Sequence, residues 1–136
     1  MIATILPAGV ITTHTLFCLR DPPADDVQQF LAGIFNSFVA NFMVRLRVTT
    51  HVTVAIVERL PVPKPACGSA AFVLIATLAR RLADDPADVQ TMAQLQGAAA
   101  RLYELDAAAF AHVLSTFPLI DADLRDASMK VFIRTI

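Results

Sequence analysis

The chain has 136 residues, of which 56% are hydrophobic and 17% charged, and its net charge at pH 7 is −1. The length suits one domain, and the near-neutral charge excludes a global attraction to nucleic acid, so nucleic-acid binding would need a local basic patch. The apolar share exceeds the roughly 45–50% of ordinary soluble domains. This surplus predicts that the chain oligomerises or, as we favour, that other parts of a larger protein cover it.

The N-terminal region contains two short runs, IATIL and TLFCL, which are rich in β-branched and aromatic residues. Proline and glycine separate the runs, so they predict two strands or one β-hairpin. Pro7, Gly9 and His14 interrupt the region, and no basic segment opens it, which argues against a signal peptide or a membrane span. We therefore expect a cytoplasmic protein without membrane contact.

The clearest helical pattern follows Pro22 and Pro23. Asp25 or Asp26 can cap the first amides, and large apolar residues then recur at helical spacing as far as Met43. The pattern predicts one long helix with an apolar core face. The opposite face is mostly small or amide: Gln29, Gly33, Asn36, Ser37, Ala40 and Asn41. That face is either a solvent face, which we favour, or a surface that another element approaches closely.

The remainder of the chain predicts further helices. VTVAIVERL suits a short helix, although its β-branched residues also suit a strand, and PVPKP must be an extended spacer. Ser69, Asp85, Asp106 and Asp121 each open a helical pattern. The predicted fold is thus α+β and predominantly helical, with a short N-terminal β-hairpin or strand pair followed by about five helices. Residues 1–65 and 66–136 would be two parts of one compact domain.

Motifs for catalysis or cofactor binding are not found in the sequence. His14, His51 and His112 stand alone, so no metal-ligand spacing exists. The four glycines form no phosphate-binding loop, and no Gly-x-Ser-x-Gly motif occurs. We predict no metal, no cofactor and no enzymatic activity of the chain alone. Cys18 and Cys67 belong to no paired motif and are expected to be reduced and buried.

Basic and hydrogen-bonding groups concentrate in RLRVTTHVTVAIVERLPVPKP, residues 45–65. Arg45 and Arg47 would end the long helix, where cations suit the helix dipole and can satisfy the last carbonyls. Arginine also holds phosphates, while threonine and histidine can reach base edges. The grouping is therefore either a structural helix end, which the residues alone favour, or a local patch that binds a polyanion such as DNA. The residues of such a patch would be Arg45, Arg47, Thr49, Thr50 and His51, with Thr13, His14 and Lys64 as weaker candidates.

The run FLAGIFNSFVANFMVRLRVTTHVTVAIVERLPVPKP resembles the C-terminal region of adenine-specific DNA methyltransferases of type II restriction–modification and BREX-like phage-defence systems. In that family a helix with a Leu-Asn-Ser pattern leads into a polar loop and a Leu-Pro-x-Pro exit. The matching residues are Phe35-Asn36-Ser37 and Leu60-Pro61-Val62-Pro63. ARLYELDAAAFAHVLSTFPLID is similar to the closing segment, with Tyr103-Glu104-Leu105 where Tyr-Gly-Leu is usual.

The resemblance implies a non-catalytic, DNA-contacting C-terminal part of a target-recognition region, which alone would bind DNA weakly. The family's catalytic motif is Asn/Asp-Pro-Pro-Tyr/Phe, whose aromatic residue stacks on a flipped adenine. Here Ala24 follows Asp21-Pro22-Pro23, so we interpret this match as chance. S-adenosylmethionine would bind only to an upstream methyltransferase domain or chain, which is the expected protein partner. The rival hypothesis is a helical protein–protein docking or oligomerisation domain without a DNA role.

Overall fold

The computed structural model describes residues 1–12, 16, 18–19 and 21–134. Throughout these residues the regular secondary structure is helical, and no strand occurs in them. The helices are α1 (Asp25–Phe35), α2 (Phe38–Arg45), α3 (Val54–Glu58), α4 (Ala70–Asp84), α5 (Val89–Leu102), α6 (Ala107–Ser115) and α7 (Ala122–Arg134). The predicted α+β class with an N-terminal β-hairpin or strand pair is therefore wrong.

The first predicted strand run, IATIL, pairs with a side chain instead of a second strand. The Ala3 N–H donates to Asn36 Oδ1 at 3.0 Å, and Asn36 Nδ2 donates to the Ala3 carbonyl at 2.7 Å. The Met1 nitrogen donates to Asn41 Oδ1 at 2.7 Å. Amides at the junction of α1 and α2 thus replace the partner strand that a hairpin would supply. The second run, TLFCL, lies partly outside the described residues.

The predicted long helix is in fact two helices, because α1 and α2 meet at a bend of 61°. Ser37 begins the second helix: its Oγ accepts a hydrogen bond from Ala40 N at 3.2 Å and donates to the Ile34 carbonyl at 2.7 Å. Gln96 of α5 supports the bend, because its Oε1 accepts the Phe38 N–H at 2.6 Å. The apolar periodicity did not reveal this break because both helices bury their phenylalanines in the same protein interior.

Helix α5 lies at the centre of the fold, against α1, α2, α4 and α7. Two glycines permit the close packing around it. A Cβ on Gly33 would lie 2.8 Å from Ile75 Cγ2, and one on Gly97 would lie 2.9 Å from Val131 Cγ1. On α1 and α2, Gly33, Ser37 and Ala40 are all buried. The small face of the predicted long helix is therefore approached closely by other elements, and the solvent-face interpretation is wrong for these positions.

The apolar side chains form two clusters, which half-buried Tyr103 joins by packing against both. Phe30 of α1 and Phe72 of α4 stack in the first cluster with ring centroids 4.9 Å apart. That contact crosses the predicted boundary at residue 65, so residues 1–65 and 66–136 share a core. The buried members are Phe30, Ile34, Phe72, Ile75, Ala76, Leu78, Leu95 and Ala99 in the first cluster, and Phe38, Val39, Ala100, Phe110, Val113, Leu114, Phe117 and Phe132 in the second.

The helices predicted to follow Ser69, Asp106 and Asp121 begin at those positions, whereas Asp25 and Asp26 lie inside α1, whose N-cap is Ala24 without a side-chain hydrogen bond. Ser69 and Asp106 cap α4 and α6 with their side chains, and the short helix α3 is present. The start of α5 was predicted one turn early, because Asp88 and not Asp85 is its cap. Asp88 Oδ1 accepts the Thr91 N–H at 3.0 Å, and Oδ2 accepts the Thr91 hydroxyl at 2.5 Å. The Thr91 hydroxyl and backbone N–H lower the pKa of Asp88 below its ordinary value, because both stabilise the carboxylate.

The two cysteines, Cys18 and Cys67, are free and exposed, contrary to the burial we predicted. Among the described helices, none is by itself long and apolar enough to cross a membrane; α1 and α2 meet that criterion of length and composition only as a bent pair.

The end of α5 places a non-glycine residue in a glycine conformation. Glu104 has φ +56°, its N–H donates to the Arg101 carbonyl at 2.8 Å, and the Leu105 N–H donates to the Ala100 carbonyl at 3.2 Å. These two bonds form a Schellman motif, in which glycine is preferred at the left-handed position. Glu104 is also the residue that replaces the glycine of the Tyr-Gly-Leu pattern in the resemblance.

We expect Glu104→Gly to raise the free energy of unfolding by about 1 kcal/mol, because glycine removes the left-handed strain of about 1–2 kcal/mol at some cost in chain entropy. The measurement is urea denaturation followed by circular dichroism. Glu104→Ala is the control: it removes the charge and keeps the Cβ, so it should leave stability nearly unchanged. A gain for alanine equal to that for glycine would contradict the backbone explanation.

We expect Gln96→Leu to lower the free energy of unfolding by about 1–3 kcal/mol, because the buried Phe38 N–H loses its acceptor. Gln96 is only 1% exposed, so water cannot replace the lost carbonyl. Gln90→Leu, at an exposed position of the same helix, is the matched control and should change stability by less than about 0.5 kcal/mol. Equal effects in urea denaturation would show that the Gln96 bond is not what stabilises the bend.

Candidate nucleic-acid interface

The main candidate residues, Arg45, Arg47, Thr49, Thr50 and His51, lie at the end of α2 and in the loop that joins it to α3, residues 46–53. The last turn of α2 is completed by Arg47 N and Val48 N, which both donate to the Val44 carbonyl at 2.9 Å. The next helix begins after Thr53, whose hydroxyl accepts the Ile56 N–H at 3.4 Å. Capping at both ends thus delimits an irregular loop that is held between two helices.

Arg47 satisfies the end of its own helix, as the sequence predicted for a cation at this position. Its Nη1 donates to the Met43 carbonyl at 3.0 Å, and the side chain is exposed. A guanidinium has five N–H donors, so this single bond leaves several of them available. The structural role that we predicted for Arg47 therefore does not exclude contact with an anion.

Arg45 is held against the loop between α6 and α7. Its Nη1 donates to the Thr116 carbonyl at 2.9 Å, and its Cζ lies 4.0 Å from the centroid of the Phe117 ring. The carbonyl and the ring fix the orientation of the guanidinium without neutralising its charge. Arg45 is still exposed. Its positive charge is therefore presented in a defined position.

Arg45 also lines a concave surface, a cavity of about 330 Å³ whose other lining residues are Thr116, Phe117, Pro118, Leu119 and Ile120. The remaining walls are largely apolar side chains, so Arg45 supplies the positive charge of the cavity. A guanidinium beside an apolar wall suits an anionic oxygen attached to an apolar body. Leu119, 98% exposed, stands at this cavity, and Leu46, which is 69% exposed, follows Arg45 in the chain.

The polar residues of the loop are directed into solvent. Thr49, Thr50 and His51 are exposed, and within the described part of the chain none of them makes a hydrogen bond. Val48 and Val52 on either side are half-buried and anchor the loop. The two hydroxyls and the imidazole therefore retain their full capacity to donate to or accept from a ligand.

Positive charge is concentrated in residues 45–64. The segment contains four cationic side chains, Arg45, Arg47, Arg59 and Lys64, and one carboxylate, Glu58. Its net charge is therefore +3, whereas the net charge of the rest of the chain is −4. Within the described residues, the salt bridge found joins Arg80 and Asp25 at 2.7 Å, far along the chain from this segment. The cations of residues 45–64 therefore have no carboxylate partner at salt-bridge distance among the residues that the structure describes.

Sequence reasoning missed Arg59, the exposed residue that ends α3. The signal that could have found it is the charge count of the segment, since Arg59 is one of four cations within twenty residues. Its position after a short helix gives no separate signal, because Arg59 does not belong to a polar cluster in the sequence. We now add Arg59 to the candidate patch.

The weaker candidates are only partly described. Lys64 is exposed and belongs to the proline-rich exit, whose Pro61–Pro63 segment faces Tyr103 and Glu104 across a cavity of about 250 Å³. Burial raises the pKa of Tyr103 to about 12, so its phenol stays neutral at physiological pH. Thr13 and His14 lie outside the described residues.

Chemically, the arrangement suits binding of an anion. The described residues contain no group of three or more His, Cys, Asp or Glu side chains that could hold a metal ion. The loop instead combines fixed guanidinium groups with free hydroxyls, which are the groups that contact phosphates and base edges. Comparison with protein-family models, with curated proteins and with solved structures finds no match to this chain.

We expect Arg45→Met to lower the free energy of unfolding by about 1 kcal/mol, because it loses the Thr116 hydrogen bond and the cation–π contact while keeping the apolar stem. Arg47→Met should cost less than about 0.5 kcal/mol, since its bond to Met43 lies within one exposed helix end. Urea denaturation of both variants measures the difference. Equal costs would contradict the anchoring role that the structure gives to Arg45.

Proposed function

We propose that this chain is a non-catalytic, DNA-contacting C-terminal part of an adenine-specific DNA methyltransferase or a related restriction–modification protein. The observation that carries the proposal is the +3 charge of residues 45–64, which lies beside exposed hydroxyls and lacks carboxylate partners within the described residues. A local patch of this kind is what a chain of near-neutral net charge needs in order to bind a polyanion.

The resemblance to the methyltransferase family is the second basis of the proposal, and its motifs fall at identifiable structural features. Asn36 and Ser37 stand at the α1–α2 bend, where both side chains make hydrogen bonds. Glu104, at the position of the family's glycine, has the positive φ that glycine favours. The short patterns therefore fall at backbone positions that restrict residue choice.

The residues of the patch have different proposed roles. Arg47, Arg59 and Lys64 hold backbone phosphates, and Arg45 presents its anchored guanidinium to one phosphate with little loss of conformational entropy. Thr50 and His51, at the exposed tip of the loop, approach base edges, with Thr49 beside them. Phosphate contacts position the loop, and the tip supplies whatever sequence preference there is.

Catalysis belongs to another part of the proposed protein. The adenine-binding motif and S-adenosylmethionine would be supplied by an upstream domain or a separate chain, which is also the proposed protein partner. Such an assembly would act in the cytoplasm. The present chain would contribute affinity and orientation to the complex.

The direct test is a titration of fluorescently labelled DNA duplex with the full chain at low salt, near 20 mM, followed by anisotropy. We expect Kd values of about 10⁻⁴ M or somewhat tighter, with a log–log salt slope of about −3 to −4, because four cations contact phosphates. The Arg47→Ala/Lys64→Ala variant should lower the slope by about 1 for each lost contact and weaken binding about equally for all sequences. Thr50→Ala should leave the slope unchanged.

The matched control is Lys130→Ala/Arg134→Ala, which removes two exposed cations from α7 and leaves the patch intact. Both double variants change the net charge equally, so a general charge effect would weaken DNA binding equally in the two variants. Equal weakening would contradict the patch, and so would the absence of binding by the wild type at about 0.2 mM protein.

The docking domain remains the second candidate because Leu46 and Leu119 are exposed beside Arg45. An apolar surface around a fixed cation also suits a protein partner with an acidic residue. The same titration separates the two functions: a docking domain without a DNA role would not bind the duplex, whereas in a DNA-contacting chain Leu119→Asp should affect binding only through the added negative charge.

A further inference from the structure

We propose that residues 2–6 are a self-pairing β-edge, through which two copies of this chain associate antiparallel into a homodimer. The proposal concerns the N-terminal segment alone. It does not depend on the DNA-contacting function, because the patch of residues 45–64 plays no part in it.

One edge of the N-terminal segment is already occupied. The Met1 nitrogen bonds to Asn41, and both backbone groups of Ala3 bond to Asn36. Asn41 is itself oriented, because its Nδ2 donates to the carbonyls of Phe35 and Ser37 at 3.0 Å. The two asparagines thus hold alternate residues, 1 and 3, on the same side, as expected of an extended chain.

The exposure of the segment alternates in the same way. Residues 1, 3 and 5 are half-buried, whereas residues 2, 4 and 6 are exposed. In an extended chain the backbone N–H and C=O groups of successive residues point to opposite edges. The backbone groups of Ile2, Thr4 and Leu6 therefore point away from the asparagines.

The second edge is free. Within the described part of the chain, Ile2, Thr4 and Leu6 make no hydrogen bond through their backbone groups. A row of unpaired N–H and C=O groups on an extended chain is a template for another strand. Because Asn36 and Asn41 hold the segment in place, its edge is already ordered. Pairing with a partner strand would therefore cost less conformational entropy.

The edge also lacks charged side chains and proline, two features that proteins use to prevent such pairing. Residues 1–12 contain no charged side chain, and residues 2–6 contain no proline. Pro7 falls on the odd-numbered, docked side, so its missing N–H does not interrupt the free edge. Gly9, with φ +84°, turns the chain and ends the segment. An edge without charged side chains or proline favours association.

A second copy is the occupant because the edge is complementary to itself. In antiparallel pairing about a two-fold axis at Thr4, Thr4 faces Thr4 of the other copy, and Ile2 faces Leu6. These are a hydroxyl pair and two aliphatic pairs, both favourable across strands. Ile2 is 91% exposed and Leu6 41% exposed, so the pairing would cover apolar surface that now meets water. It would also account for part of the apolar surplus of the sequence.

Sedimentation equilibrium of the full chain tests the proposal through two proline variants at neighbouring positions. Thr4→Pro removes an N–H from the free edge, while Ile5→Pro removes one from the docked side that makes no hydrogen bond in the described structure. We expect a concentration-dependent dimer for the wild type. Thr4→Pro should raise its dissociation constant at least about tenfold, and Ile5→Pro should change it by less than about threefold.

Hydrogen exchange gives a second readout that does not require a variant to fold. Exchange at the Thr4 and Leu6 amides should slow as the protein concentration rises, and exchange at the exposed loop amides of residues 49–51 should not change. A monomer at all concentrations up to about 1 mM would overturn the proposal. So would a dimer that Thr4→Pro and Ile5→Pro weaken equally, or one that forms without added protection at Thr4.

Discussion

The orientation of α2 relative to α1 depends on one hydrogen bond, which the Phe38 N–H donates to Gln96 Oε1 at the bend between the two helices. A helix interrupted in a protein interior exposes backbone donors that water cannot reach, and these must find acceptors. Gln96 and Ser37 supply them. Because the bend turns α2 by 61° away from α1, α2 carries its C-terminal end to the α6–α7 loop, where Arg45 meets Thr116 and Phe117. The bend thus determines the position of the basic loop, which we define as residues 45–53.

The same bend organises the N-terminal segment. Asn36 ends α1 and Asn41 lies in the first turns of α2, so the change of direction places both amides where they can bind one extended chain. In a continuous helix these residues are five positions apart and face different directions. Two proposed interaction surfaces, the basic loop and the free edge of residues 2–6, therefore arise from one interruption of a helix.

The basic loop combines two physical states of arginine. Arg45 is anchored by a carbonyl and an aromatic ring, whereas Arg47 is bonded only to its own helix. Neither pairs with a carboxylate in the described structure. An arginine that is oriented by neutral groups keeps its charge for a ligand, whereas one paired with a carboxylate has lost much of its attraction for an anion. This distinction makes the segment a binding candidate as well as a helix end.

The sequence by itself determined the helical periodicity, two of the helix caps and the concentration of cations in residues 45–65, because these properties depend on neighbours along the chain. Ser69 and Asp106 cap helices through bonds to residues three positions away, which composition and spacing reveal. Only the tertiary structure decided that IATIL pairs with Asn36, that the long helix breaks at Ser37, and that Arg45 lies on Phe117. Each feature depends on a contact between residues far apart in the sequence. Ala3 and Asn36 are 33 positions apart, Phe38 and Gln96 at the helix break are 58 positions apart, and Arg45 and Thr116 are 71 positions apart. Local propensity carries no information about such partners, so apolar β-branched residues predicted a hairpin where a distant side-chain amide supplied the hydrogen bonds.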